Sequence, residues 1–213
     1  MIIRKSVRIN SSSHIVLNCS SDRCRRTYHS HSPLVEIFID GSSLDNAGMI
    51  VDFGLLGNFK KFLKMFYNTL MLWDKDPLKD KIIEEYSEEV ELPKNVLRYI
   101  ILPFNPSAEL LALYFHTIMR RIIKRTEFKN GESSDIDIIK VRYHETKTGY
   151  AESEVKLLDS FEAEYDLNSV YISPAVVEID NPDLLKIKYI MNGSENITFS
   201  NPDVELKVKE VVK

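Results

Sequence analysis

The sequence predicts an α+β domain in which two helices lie between two β-hairpins, a ββααββ order, with a β-rich extension after it. Three observations carry this prediction. Ile2, Ile3, Val7 and Ile9, followed by the β-rich HSHSPLVEIFID (29–40), place strands ahead of any helical periodicity. Phe59, Phe62, Leu63, Phe66 and Leu70 then recur at helical spacing with Lys60, Lys61 and Lys64 opposite. Finally, IDIIKVRYHET (136–146) alternates, Gly149 marks a turn, and YAESEVKLL (150–158) returns as a hairpin partner.

Taken in order, residues 2–9 read as a strand, and Ser11–Ser13 loosen the backbone before an extended HIVL (14–17). Asn18 to Thr27 is polar and rich in turn formers, so it reads as a loop carrying Cys19 and Cys24. Pro33 marks an edge, a bulge or a strand start within 29–40, because proline cannot donate to a ladder. Gly41 and SSLDNAG connect to MIVDF, and the first helix starts near Phe53. Residues 73–94 form a charged insertion with room for a short helix, and LRYIILPF (97–104) is strand-like. Asn105-Pro106-Ser107 with Glu109 in the first turn opens the second helix, which runs to about Lys124. His116 falls in its middle, at a packing or surface position. Residues 1–158 are expected to form the domain and 159–213 a β-rich or mixed extension, with β-type VYISPAVVEI followed by LLKIKYIM, ITF and VELKVKEVV.

Composition narrows the function classes. A chain of 213 residues with 44% apolar and 28% charged residues suits a globular domain with a real core. The net charge of −4 gives no electrostatic case for a nucleic-acid partner. No apolar run approaches the roughly 20 residues of a membrane helix, and the first residues lack a secretory pattern, so the cytoplasm is the expected location. Two cysteines make no disulfide framework.

The stretch HIVLNCSSDRCRRTYHSH (14–31) holds three of the five histidines and both cysteines. His29 and His31 differ by two positions, so on a strand both rings project from one face. His14 on a neighbouring strand would complete three nitrogens around a point, the ligand set of a catalytic zinc with an open fourth position. A structural C-x4-C-x4-H-x-H site is the alternative, although paired histidines in such sites are usually three to five residues apart. Cys24 brings a thiol to the same region, while Cys19 suits a small buried position.

These features resemble the 6-pyruvoyltetrahydropterin synthase and 6-carboxytetrahydropterin synthase family. Besides the histidines and cysteine, GMIVDF (48–53), NPSAE (105–109) and HETKTGYA (144–151) are similar, in order, to segments of that family, over roughly residues 1–155. CSSDRC and LWDKD resemble the bacterial queuosine-pathway branch. The resemblance implies the tunnelling fold, in which ββααββ subunits close a β-barrel as a homo-oligomer, usually a trimer doubled to a hexamer. It also implies a lyase converting 7,8-dihydroneopterin triphosphate, a pterin triphosphate, towards queuosine or a related 7-deazaguanine.

On that resemblance His14, His29 and His31 bind Zn²⁺, which polarises the side-chain oxygens of the substrate. Cys24 is the proton-abstracting thiolate. Glu145 accepts two N–H donors from the amino-pyrimidine edge, and Ser107 is a lesser pterin contact. Arg25 or Arg26 would meet triphosphate on charge alone. The sequence departs from the family in having Tyr67-Asn68 where an Asp-His proton relay is usual. That departure supports a second expectation, a zinc- and pterin-binding homologue with lost or altered catalysis. A related activity, aldolase-type cleavage of another pterin, fits the same spacing.

Overall fold

The computed structural model describes residues 1–88, 97–177, 182–193 and 197–200. In sequence order the first half contains β1 (Ile2–Arg8), β2 (Ser12–His14), α1 (Asp22–Arg26), β3 (His29–His31), β4 (Leu34–Asp40), α2 (Gly57–Lys64), β5 (Leu70–Trp73), α3 (Lys79–Glu88) and β6 (Tyr99–Leu102). The second contains α4 (Ala108–Lys124), β7 (Thr126–Glu127), β8 (Asp137–His144), β9 (Tyr150–Glu154), α5 (Leu158–Glu164), β10 (Tyr171–Ile172), α6 (Pro182–Met191) and β11 (Phe199–Ser200).

Two sheets organise these elements. The antiparallel sheet β1-β4-β8-β9 is built from the two expected hairpins, with α2 and α4 between them in sequence. Its apolar face presents Val35, Ile37 and Ile39 beside Ile138, Val141 and Tyr143, all buried. Against that face packs α4, which buries Leu111, Tyr114, Phe115, Ile118, Met119 and Ile122. Phe62 and Phe66 meet Tyr114 and Phe115 edge-on or tilted, tying α2 and the segment after it to α4. The second sheet, β10-β6-β5-β2-β3, is mixed: β5 runs parallel to both β2 and β6, while β2 and β3 are antiparallel.

The other face of the first sheet carries charge. Glu36 on β4 is 6% exposed and meets Arg4 Nη1 at 2.7 Å, His144 Nε2 at 2.8 Å and Arg142 Nη1 at 3.4 Å. Arg142 and Lys140 continue the network to Glu152. Burial opposes ionisation of Glu36, but the His144 hydrogen bond and the charges of Arg4 and Arg142 outweigh it and hold its pKa below the usual range.

Four boundaries differ from expectation for identifiable reasons. The run 29–40 is divided at Ser32-Pro33, so β3 and β4 belong to different sheets. The first helix covers only 57–64; Asn68 adopts φ +49°, which ends helical continuation, and Leu70 enters β5. HIVL contributes only His14 to a strand, because the backbone turns at Val16–Cys19. The β-rich extension is largely helical where described: α5 and α6 outweigh the two-residue strands β10 and β11. Leu184, Ile187, Ile190 and Met191 are buried at helical spacing, which the apolar run LLKIKYIM conceals. They join Phe161, Leu167, Val170 and Ile172 in the same core as α2 and α4. VELKVKEVV (204–212) lies outside the described residues.

His116 is wholly buried on α4, its Nε2–H donating to the Ile138 carbonyl at 2.9 Å and its Nδ1 3.0 Å from Ser153 Oγ. It pins α4 to β8 and β9. Burial depresses its pKa below the ordinary 6.5, with its hydrogen bonds acting the other way. Below pH 6.5 the unfolded state takes up a proton there that the folded state refuses, so stability falls as the pH drops through that window. His116→Ala should cost about 2–4 kcal/mol near neutral pH by opening a cavity and orphaning its partners. Denaturant melts from pH 8 to 5 should show that loss, and a shallower decline on the acid side than wild type.

Candidate metal centre

The β2–β3 ladder builds the centre of the site. His14 pairs directly with His29, and Ser12 with His31, so the three imidazoles project from one face of two strands. Ser13 and Ser30 take the opposite face, their hydroxyl oxygens 2.6 Å apart. The ring centroids lie 4.8, 5.3 and 4.9 Å from one another, and one ring nitrogen from each histidine falls within 4.8 Å of the others.

Backbone carbonyls fix which nitrogens face inward. The Pro106 carbonyl lies 2.7 Å from His14 Nδ1, so that nitrogen carries the hydrogen and Nε2 keeps the lone pair. His14 is 1% exposed, and its Nε2 has no hydrogen-bond partner. His29 Nδ1 is likewise held, 2.9 Å from the Thr27 carbonyl. Burial lowers the His14 pKa to about 4, so the ring is neutral at pH 7. His31 is also lowered, chiefly by burial, with Glu145 acting against that and Arg23 adding to it. Three imidazoles converging on one point, with the buried His14 Nε2 left without a partner, fit a divalent metal ion of the zinc type.

Neither cysteine belongs to this cluster among the described residues. The structural Cys₂His₂ alternative is therefore not formed. Cys19 Sγ accepts from the Ser21 N–H at 3.5 Å. Cys24 sits half-buried on α1, the short helix joining β2 to β3, and its carbonyl accepts from Val16 N–H at 3.0 Å. Arg25 and Arg26 both turn to Asp22 on the exposed side of that helix.

Glu145 follows the last residue of β8 and reaches the histidines from the first sheet, its Oε1 3.5 Å from His14 Nε2. Beside it opens a cavity of about 500 Å³ lined by Arg8, Ser32, Leu34, His144, Glu145, Thr146 and Lys147. Ser107 caps α4, its hydroxyl accepting from Leu110 N–H at 3.4 Å.

Sequence reasoning missed Asn105. Its side chain brackets Leu17, with Oδ1 accepting from Leu17 N–H at 3.1 Å and Nδ2 donating to the Leu17 carbonyl. With the Pro106 carbonyl on His14, the NPSAE segment thus anchors the metal loop to the head of α4. The bidentate capacity of asparagine beside a helix start was the available signal. Asn105→Ala, which frees the Leu17 backbone without touching a histidine, should weaken metal binding by less than the roughly 10- to 100-fold typical of groups bonded directly to a ligand. Chelator competition measures it.

Tyr67 and Asn68 are also accounted for. The Tyr67 hydroxyl donates to the Arg8 carbonyl at 2.6 Å, and burial raises its pKa. Asn68 N–H donates to the Asn10 carbonyl from a left-handed backbone that asparagine tolerates well.

Comparison with known proteins gives the following. The family model described as 6-pyruvoyl tetrahydropterin synthase matches residues 3–156. Two curated proteins named 6-carboxy-5,6,7,8-tetrahydropterin synthase, from Helicobacter pylori strains 26695 and J99, are each 38% identical over 161 residues, or 75% of this chain and 76% of theirs. A crystal structure of an uncharacterized protein from Wolinella succinogenes aligns at TM-score 0.56 and 18% identity, covering 73% of this chain and 99% of that one, which establishes likeness of fold.

Proposed function

The chain belongs to the 6-pyruvoyl tetrahydropterin synthase family, and we propose that it is a zinc-dependent lyase of the 6-carboxytetrahydropterin synthase type. Its substrate is 7,8-dihydroneopterin triphosphate, and its product enters queuosine or related 7-deazaguanine synthesis. The observation that carries this reading is the His14, His29 and His31 cluster, with its orphaned Nε2, in a protein 38% identical to others of that name.

His14, His29 and His31 would hold Zn²⁺. The ion would supply Lewis acidity, making the C–H protons beside the substrate's side-chain oxygens removable. Cys24, as thiolate, takes up such a proton at Sγ. Glu145 receives the N–H donors of the pterin, and Ser107 is a lesser pterin contact. Subunits associate through the edges β1 and β9 of the first sheet, whose open ladders closure of a barrel would satisfy. A trimer or hexamer in the cytoplasm is the expected form.

The state of Tyr67-Asn68 favours a second reading, a zinc- and pterin-binding homologue with lost or altered catalysis. A tyrosine whose hydroxyl is engaged and whose pKa is raised does not relay protons near neutral pH, and an asparagine side chain is unable to. Assay of the zinc-loaded protein with dihydroneopterin triphosphate separates the readings. Turnover roughly 10²- to 10⁴-fold slower than in an Asp-His-containing relative is the expected result. Tyr67→Asp with Asn68→His should then accelerate it. Activity appearing only in that double variant would establish the second reading, and none in either protein would dismiss the lyase.

A further inference from the structure

Glu145 occupies a position that substrate anchoring alone does not explain. Its Oε1 lies 3.5 Å from His14 Nε2 and 3.9 Å from His31 Nε2, within the histidine cluster rather than a pterin ring's breadth away. The His14 nitrogen facing it is the lone-pair nitrogen, because Nδ1 carries the hydrogen given to Pro106. Carboxylate oxygen and imidazole lone pair are both acceptors, with no hydrogen to share between them. That nitrogen is buried and has no hydrogen-bond partner. A buried acceptor faced by a half-buried carboxylate is stabilised by a cation placed between them.

The separation is informative. Donors bound at 2.0–2.2 Å to one tetrahedral zinc stand about 3.3–3.6 Å apart. Glu145 Oε1 and His14 Nε2 already have that spacing, and His31 Nε2 is a few tenths of an ångström outside it. Among the described residues, Glu145 has no lysine or arginine partner that would draw it elsewhere. It lies at the head of the exposed turn 145–149 between β8 and β9, so the carboxylate is free to swing without disturbing either strand.

We propose that Glu145 is an exchanging ligand. In the substrate-free protein its carboxylate closes the fourth position of the metal held by His14, His29 and His31. When a pterin enters, the carboxylate leaves the metal for the paired N–H donors of the amino-pyrimidine edge, and the position opens. The second half of this cycle rests on the pterin reading given above; the first half rests on the geometry alone. One consequence is selectivity. Only a ligand that presents an amidine-like N–H pair to the carboxylate unlocks the metal, so small oxygen donors in solution compete poorly for it.

Cobalt(II) substitution tests this, because its visible absorption reports ligand number and type. Wild type, Glu145→Gln and Glu145→Ala are loaded with Co²⁺ and titrated with a chelator. Both variants should bind Co²⁺ about 10- to 100-fold more weakly, with altered visible bands and unchanged circular dichroism. The probe for exchange is 6-methylpterin, which lacks the side-chain oxygens that could themselves reach the metal. Its binding, followed by its fluorescence, should shift the wild-type cobalt bands towards those of Glu145→Ala.

Variants with wild-type affinity and bands would overturn the proposal and leave Glu145 as a pterin contact only. Bound 6-methylpterin with unshifted wild-type bands would overturn the exchange. A wild-type protein that takes up no Co²⁺ would instead overturn the metal-site reading, and this one with it.

Discussion

Alanine at His29 and His31 together is expected to reduce bound zinc from about one ion per chain to a trace. Structural zinc sites bind with roughly 10–16 kcal/mol over four ligands, or about 2.5–4 kcal/mol per ligand. Removing two therefore lowers affinity by roughly 10⁴- to 10⁶-fold. These two positions are the sound choice because both side chains are partly exposed, whereas His14 is 1% exposed and its loss would open the core. The fold should survive, since the β2–β3 ladder is made by the backbone. Elemental analysis of the purified variant, with circular dichroism as control, gives the answer. Retained stoichiometric zinc would mean that the metal is held elsewhere.

Cys24→Ala is expected to lower turnover by about 10²- to 10⁴-fold while leaving zinc content unchanged. The two effects separate because the cysteine lies outside the ligand cluster, on the helix that links the strands carrying it. Cys24→Ser should fare no better, since an alcohol ionises far less readily than a thiol. Single-turnover measurements locate the loss in the chemical step rather than in product release. A variant that keeps wild-type turnover would remove Cys24 from the reaction.

Much of the fold was legible because hydrophobic period tracks secondary structure wherever one face is buried. The two hairpins and α4 were read closely for that reason, and the Ser107 cap lies where the sequence placed it. Failures came where tertiary pairing overrode local pattern. Leu70 continues a helical spacing, yet the parallel ladder between β2 and β6 claims it for β5. LLKIKYIM belongs to a segment that reads as β-rich or mixed, and its burial pattern reveals a helix only once its neighbours are in place. The division at Pro33 was half visible: a proline there signalled an edge or bulge, but not the crossing from one sheet to the other.

The histidine triad was readable from the H-x-H spacing because strand geometry turns a two-residue interval into a shared face. Its completion by His14 depended on register, which the sequence could suggest and only the ladder could settle. The Asn105 bracket, the Pro106 carbonyl on His14 and the approach of Glu145 all bridge segments 88 or more positions apart in sequence. Local pattern marks at most the residue types able to make such contacts, not their partners.

The charged face of the first sheet has a consequence for what it can border. Glu36, Arg4, Arg142, Glu152, Lys140 and His144 are already matched with one another inside one subunit, so the face needs no partner to neutralise it. Covering it with a dry surface would strip water from ions that gain no new contacts in return. A face of this kind is suited to a wetted lumen. Were copies of the protein to close a ring with this side inward, the enclosed space would be a water-filled passage lined by ion pairs already made within each subunit.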